Sequence, residues 1–255
     1  MRSFWCLLIL LLVLACEDPE PAPVDPVVVD GVLVQGQPVA NFRLWRLSPL
    51  GSTVLSPLQA EAVVIRDGST DYFLSPQTGV PGAYFDASGS LQVIPGTDYQ
   101  LIVVKDEELT FSGTRVPLPP QSLAPSQSQY ALNAADRQNG GFFQFTWSNL
   151  EGRWFVGKLL RINPPLSPID PGADEVTGEV ITDVVNSNFY QIPFNQVNYY
   201  GVYAFILYAV NLEYLNYFGA NSPDVRVQQY TNIFNGLGIF TAITPDTTYF
   251  EVIPR

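Results

Sequence analysis

The sequence predicts an all-β protein built from two tandem β-sandwich domains, an Ig-like one followed by a fibronectin-like one with a single short helix. Three observations carry this. Short apolar or alternating runs recur every 8–12 residues or so, divided by Gly, Pro, Asn and Asp turn signals. Helical periodicity is almost absent outside one segment. A Pro- and Ser-rich stretch divides the chain near its middle.

Residues 1–15 read as a lipoprotein signal peptide. Arg2 supplies the charged start, an apolar run of about ten residues follows, and Val13-Leu14-Ala15-Cys16 closes it. That run is shorter than the roughly 20 residues a membrane-spanning helix needs. Cys16 is the expected lipidation site, where the thiol takes a diacylglycerol. Residues 16–26, acidic and Pro-rich (Glu17-Asp18-Pro19-Glu20-Pro21-Ala22-Pro23), form an extended tether.

The Ig-like sandwich is expected over 27–118. Val27–Val34 is a β-branched strand with a bulge expected at Asp30-Gly31. In Val39–Leu47, Ala40, Phe42 and Leu44 alternate with Asn41, Arg43 and Trp45, a half-buried strand. Ala60–Arg66 and Asp71–Leu74 flank the turn at Asp67-Gly68-Ser69-Thr70 as a hairpin, with Asp67 expected to bond its own backbone. Gly82–Phe85, Tyr99–Val104 and Leu109–Val116 supply further strands. Pro95-Gly96 is a turn, and Asp106-Glu107-Glu108 a solvated hairpin tip. Residues 119–128 are expected to be a linker.

The second β domain is expected over 129–255. Phe143, Phe145 and Trp147 alternate with Phe142, Gln144 and Thr146. Arg153–Ile162 and Tyr199–Val210 are strands, the latter facing Tyr203, Phe205 and Leu207 inward. The helix is placed at about 212–218, with Asn211 as N-cap and Gly219 as stop. Gly238–Ile243 and Thr248–Ile253 are read as a closing hairpin across Thr244-Pro245-Asp246-Thr247.

Composition narrows the chemistry. The chain has 255 residues, no histidine, and only two cysteines, Cys6 in the signal and Cys16. Imidazole bases, Ser-His-Asp triads and His- or Cys-ligated zinc are therefore excluded, as are disulfides in a mature chain starting at Cys16. The net charge is −12, with 12 basic against 24 acidic residues. So acidic a chain makes a poor nucleic-acid ligand, because phosphate neutralisation needs clustered Lys and Arg. No cofactor is implied.

Several segments resemble one family: the lipobox with its acidic follow-on, Val28-Val29-Asp30-Gly31, and Val93-Ile94-Pro95-Gly96-Thr97-Asp98-Tyr99-Gln100-Leu101. To these add Tyr214-Leu215-Asn216-Tyr217-Phe218 and Tyr230-Thr231-Asn232-Ile233-Phe234-Asn235-Gly236-Leu237-Gly238-Ile239-Phe240. Together they look like the uncharacterised outer-membrane lipoproteins of Bacteroidota with an Ig-like N-terminal domain and a second β domain, often encoded beside TonB-dependent receptors. The resemblance implies a lipid-anchored outer-membrane protein with an outer-membrane β-barrel as partner. Glu17-Asp18 resembles the acidic signal that sends such lipoproteins to the cell exterior. The family has no established catalytic residues, so none is carried over.

Two constellations remain. Tyr199, Tyr200, Tyr214, Tyr217 and Phe218 cluster within twenty residues as candidate interface or ligand contacts, since aromatic rings stack on sugars and anchor interfaces. Asp170, Asp174 and Glu175 are a weak calcium candidate, lacking the spacing and glycine of an EF-hand. The expected function is thus a non-enzymatic surface lipoprotein, accessory to a TonB-dependent receptor or similar barrel. The alternative is a stand-alone glycan- or ligand-binding lipoprotein.

Overall fold

A computed structural model describes residues 26–40, 42–47, 55–163, 167–172, 179–218 and 230–255. The lipidation site Cys16, the tether up to residue 25, Asp174, Glu175 and Gly219 lie outside the described residues. The architecture is all-β and of the sandwich type. In chain order the strands are β1 (Val27–Val34), β2 (Phe42–Leu47), β3 (Leu55–Pro57), β4 (Ala62–Asp67), β5 (Thr70–Phe73), β6 (Ser75–Pro76), β7 (Ala83–Phe85), β8 (Asp98–Lys105) and β9 (Glu108–Arg115). They continue with β10 (Gln121–Pro125), β11 (Gln129–Leu132), β12 (Phe142–Ser148), β13 (Trp154–Arg161), β14 (Glu179–Ile181), β15 (Phe189–Pro193), β16 (Gly201–Val210) and β17 (Gly236–Pro254). Among the described residues two α-helices, α1 (Ala134–Gln138) and α2 (Leu212–Phe218), and a short 3-10 turn at Phe194–Gln196 complete them.

One large sheet runs in the order β14-β13-β16-β17-β1-β2-β7-β6, with β11 joined to β17 and β3 to β2. Its first-domain half faces the four-stranded sheet β5-β4-β8-β9, and its other half faces the three-stranded sheet β10-β12-β15. Alternation along each strand fills the two cores between these layers. Phe42, Leu44, Val63, Ile65, Leu101 and Val103 build the first, and Phe143, Phe145, Phe155, Phe205 and Phe250 the second. In the first core the Tyr99 hydroxyl donates to the Gln92 carbonyl at 2.7 Å and accepts from Ile94 N–H at 3.1 Å. A tyrosine at the start of a strand bonding a few residues upstream is a hallmark of Ig-type corners.

The last strand departs from the closing hairpin that Pro245-Asp246 suggested. Strand β17 runs unbroken for 19 residues, about 60 Å at the usual rise. Its first half pairs in parallel with β1, from Val27↔Gly236 to Val34↔Ile243. Its second half pairs with β16 throughout and with β11 from Gln129↔Glu251. Pro245 falls between the β1 and β11 contacts, where β17 has a neighbour on one side only, the position proline tolerates in a sheet. Sheet pairing therefore overrides the local turn signal. The first core accordingly includes Ile233, Phe240 and Ala242, far beyond the division expected near 119–128.

Three other expectations are corrected. No bulge interrupts Asp30-Gly31, because β1 keeps register with β17 along its whole length. Gly31 is needed instead because the Phe42 ring lies where a Cβ would stand. Within the expected linker, Gln121–Pro125 is an edge strand, and an edge accepts Pro125. Asp67 accepts the Tyr72 hydroxyl at 2.9 Å rather than a side-chain bond from its own backbone. Helix α1 was not anticipated; its cap is a reciprocal box in which Asn133 accepts from Asp136 N–H and Asp136 accepts from Asn133 N–H.

Candidate docking and ligand surfaces

The aromatic candidates split into two groups. Tyr199 and Tyr200 precede β16, and Tyr214, Tyr217 and Phe218 follow it on α2, so the ten residues of β16 hold them about 30 Å apart. The Tyr199 ring lies under the Arg161 guanidinium, 4.5 Å from its centroid, and Tyr200 donates to the Leu132 carbonyl at 3.1 Å. On α2, Tyr217 is buried, Tyr214 is half-buried and packs on Phe218 at 4.6 Å, and Phe218 is exposed. Burial pushes the phenols of Tyr203 and Tyr214 above their ordinary range, which keeps them neutral. These rings do not form one stacking platform.

The weak calcium candidate is taken up differently. Asp170 accepts from Gly172 N–H at 3.2 Å and stands 4.0 Å from the buried Arg137 guanidinium. Arg137 also donates to the Asn198 side chain at 2.6 Å and the Asn195 carbonyl at 3.0 Å. Among the described residues, no three carboxylates, histidines or cysteines gather as metal ligands.

Two surfaces went unread in the sequence. The first is an open polar pocket of about 420 Å³ lined by Trp147, Ser148, Asn149, Leu150, Asn186, Ser187 and Asn188. Asn149 braces its wall, donating to the carbonyls of Arg153 and Ser187, while Asn186 donates to Gly152. Most of the polar groups are thus spent on holding the loops together. The signal for it was two short Asn/Ser runs, 148–149 and 186–188, that only the fold brings together.

The second surface is the outer face of the four-stranded sheet. Residues directly paired across a sheet point to the same side. The register sets Phe73, Val64, Ile102 and Phe111 in one row, and Phe111 continues it by pairing with Phe234. A second row holds Ala62, Val104 and Leu109. The inward partners are Val63, Ile65, Leu101 and Val103, so the sheet is apolar on both faces. Phe73, Leu109, Phe111 and Phe234 are 67%, 52%, 46% and 54% exposed. The rings of Phe111 and Phe234 stack at 4.4 Å. Beyond the rows, Arg66 grips Asp71 in a two-pronged pair at 2.5 and 2.9 Å, and Arg115 meets Asp98 at 3.2 Å. That bond from Arg66 holds the Asp71 carboxyl below its ordinary range.

The seam between the sandwiches adjoins this face. The inward side of β9 is polar: Thr110 donates to the Asn235 carbonyl, Ser112 to the Asn232 carbonyl, and Thr114 accepts from Asn211 at 2.7 Å.

The chain matches no family of known sequences and no curated protein. Among solved structures it is similar to the FN1–FN3 domains of chicken CNTN1, at 11% identity and a TM-score of 0.25, covering 92% of this chain and 66% of that one. It is also similar to domains A168–A170 of titin, at 11% identity and a TM-score of 0.24, covering 88% of this chain and 65% of that one. The chain thus spans about two thirds of those structures' length.

Proposed function

We propose that this chain is a non-enzymatic, lipid-anchored protein of the outer membrane, facing the cell exterior and accessory to a TonB-dependent receptor or similar β-barrel. The observation that supports it is the setting of β1, the first strand after the tether. It is interior to the large sheet, paired along eight residues with β17 and along four with β2. A pull from a membrane anchor at Cys16 would run along this strand. The ladder bonds would share it in shear, whereas an edge strand would peel off one bond at a time. Such a strand suits a protein held by its N-terminus against a partner.

The test is affinity purification of the tagged, acylated protein from mild-detergent outer-membrane extracts, with mass spectrometry of what accompanies it. A stoichiometric β-barrel is the expected result, and a clean monomer overturns the reading. A second reading, a stand-alone glycan or ligand binder, is favoured by the neutral Asn/Ser pocket. Binding to a polysaccharide panel that Asn188→Ala weakens would establish it.

A further inference from the structure

We infer that the outer face of the four-stranded sheet, the rows Phe73–Ile102–Phe111–Phe234 and Val104–Leu109, is the surface by which this protein docks on a protein sharing its membrane. The inference rests on the barrel reading above and says which side of the molecule meets the barrel.

Chemistry supports a protein occupant. The face is aliphatic and aromatic at its centre, and the charged groups bordering it at Arg66–Asp71 and Arg115–Asp98 are paired with each other. An apolar centre with a satisfied polar rim is the anatomy of a protein interface. A face built to enter a lipid headgroup layer would offer free Lys and Arg to anionic lipids, whereas this chain carries a net charge of −12.

Size and position then choose among protein occupants. Four strands about 4.8 Å apart and two rows of side chains span on the order of 250 Å². A stable pair of freely diffusing molecules needs about 800 Å² on each partner, so two copies of this chain meeting by this face alone would fall short. A barrel in the shared membrane makes up that shortfall, because tethering raises the effective concentration of two partners without any new contact, whereas two anchored copies of this chain, each at −12, repel one another. The tether reaches the domain at the corner of the patch. A Cβ on Gly236 would meet the Val27 carbonyl, the Ile233 side chain and the Thr110 side chain together. Val27 therefore starts β1 next to the residues flanking Phe111 and Phe234. Nine residues lie between Cys16 and Pro26, a reach of about 35 Å at most over ten Cα steps. The patch is thus held close to the membrane surface, where a barrel presents its extracellular rim.

The test compares acylated full-length protein carrying Phe73→Asp or Leu109→Asp with wild type and with Ile181→Asp, which alters a comparably exposed residue (65%) on β14 at the far edge of the large sheet. Each is purified from the outer membrane, and circular dichroism checks the fold. The expected result is about tenfold less co-purifying barrel for either face variant, in line with losing one buried large apolar side chain. Ile181→Asp should leave recovery unchanged. Wild-type recovery of the barrel by both face variants overturns the inference and leaves the barrel reading standing. Absence of any barrel with wild type overturns both. Two further results would overturn it in favour of another occupant. One is self-association of the Cys16→Ser protein, abolished by Phe73→Asp, in analytical ultracentrifugation. The other is binding of that Cys16→Ser protein to vesicles of phosphatidylethanolamine and lipopolysaccharide, lost with the same change.

Discussion

Asp86 is a buried carboxylate that spends both oxygens on its own loop. Oδ1 accepts from Ser88 N–H at 3.0 Å and from the Ser88 hydroxyl at 2.5 Å, and Oδ2 accepts from Leu91 N–H at 2.7 Å. Burial alone would raise its pKa, but these donors outweigh it and hold the carboxyl below its ordinary value. The folded-state value is depressed, so the contribution is fully present above the unfolded carboxylate value near 3.9. It is lost as pH falls through the lower folded value. Asp86→Asn places an amide N–H against backbone donors and should cost about 1–3 kcal/mol at neutral pH. It should also flatten the fall in stability as pH drops below the unfolded carboxylate value of about 3.9. Urea midpoints across that range check both, and equal acid slopes in variant and parent would show that Asp86 is not the titrating group. This role was illegible in the sequence. Asp86 sits in an ordinary Asp-Ala-Ser-Gly turn, and only the fold reveals that Asp86 is buried while Ala87, Ser88 and Gly89 stay exposed.

At the scale of elements, α2 was legible to the residue because its cap is local. Asn211 Oδ1 accepts from Tyr214 N–H at 3.1 Å, the standard N-cap bond. Its second duty was not legible. The same Oδ1 accepts from the buried Thr241 at 2.6 Å, and Nδ2 donates to Thr114 at 2.7 Å, tying α2 to β17 and β9. Asn211→Ala should therefore cost more than an isolated cap, about 2–3 kcal/mol against the usual 0.5–2. Asn211→Asp keeps both accepted bonds and should recover about half. Denaturant unfolding measures both, and a loss in the alanine variant no larger than a surface cap's would remove the seam role. Helix α1 escaped notice because five residues leave no periodicity to count, and the alternation that exposed β8 and β12 has no counterpart there. The two candidate groups of tyrosines were read as one because they are near in sequence. An intervening extended strand carried them to opposite ends.

At the scale of the molecule, the sandwich class was written in the alternation and the turns, but the way the two halves join was not. Joining depends on pairings between residues 209 positions apart, Val27 with Gly236 among them, and no local pattern announces such a pair. The consequence is thermodynamic. Tandem sandwiches linked by a flexible connector unfold independently, but these share β17, whose two halves belong to different cores. Thr244 on β17 donates to the Pro117 carbonyl at 2.6 Å, and Arg153 donates to the Leu118 carbonyl at 2.7 Å, so the connection between the halves is bonded as well. Losing either sandwich would strip one edge of β17 and open the polar seam at Thr110, Ser112 and Thr114 to water. Scanning calorimetry should therefore give one transition with a van't Hoff to calorimetric enthalpy ratio near one. Gly238→Ala is the matching perturbation. Gly238 has φ of 97°, and a Cβ there would collide with the Val29 carbonyl, so the change wedges β1 away from β17. If the halves are one cooperative unit, the whole endotherm moves down as a single peak. A low-temperature shoulder that moves alone, beside an unshifted main peak, would mean that the shared strand does not couple the two sandwiches.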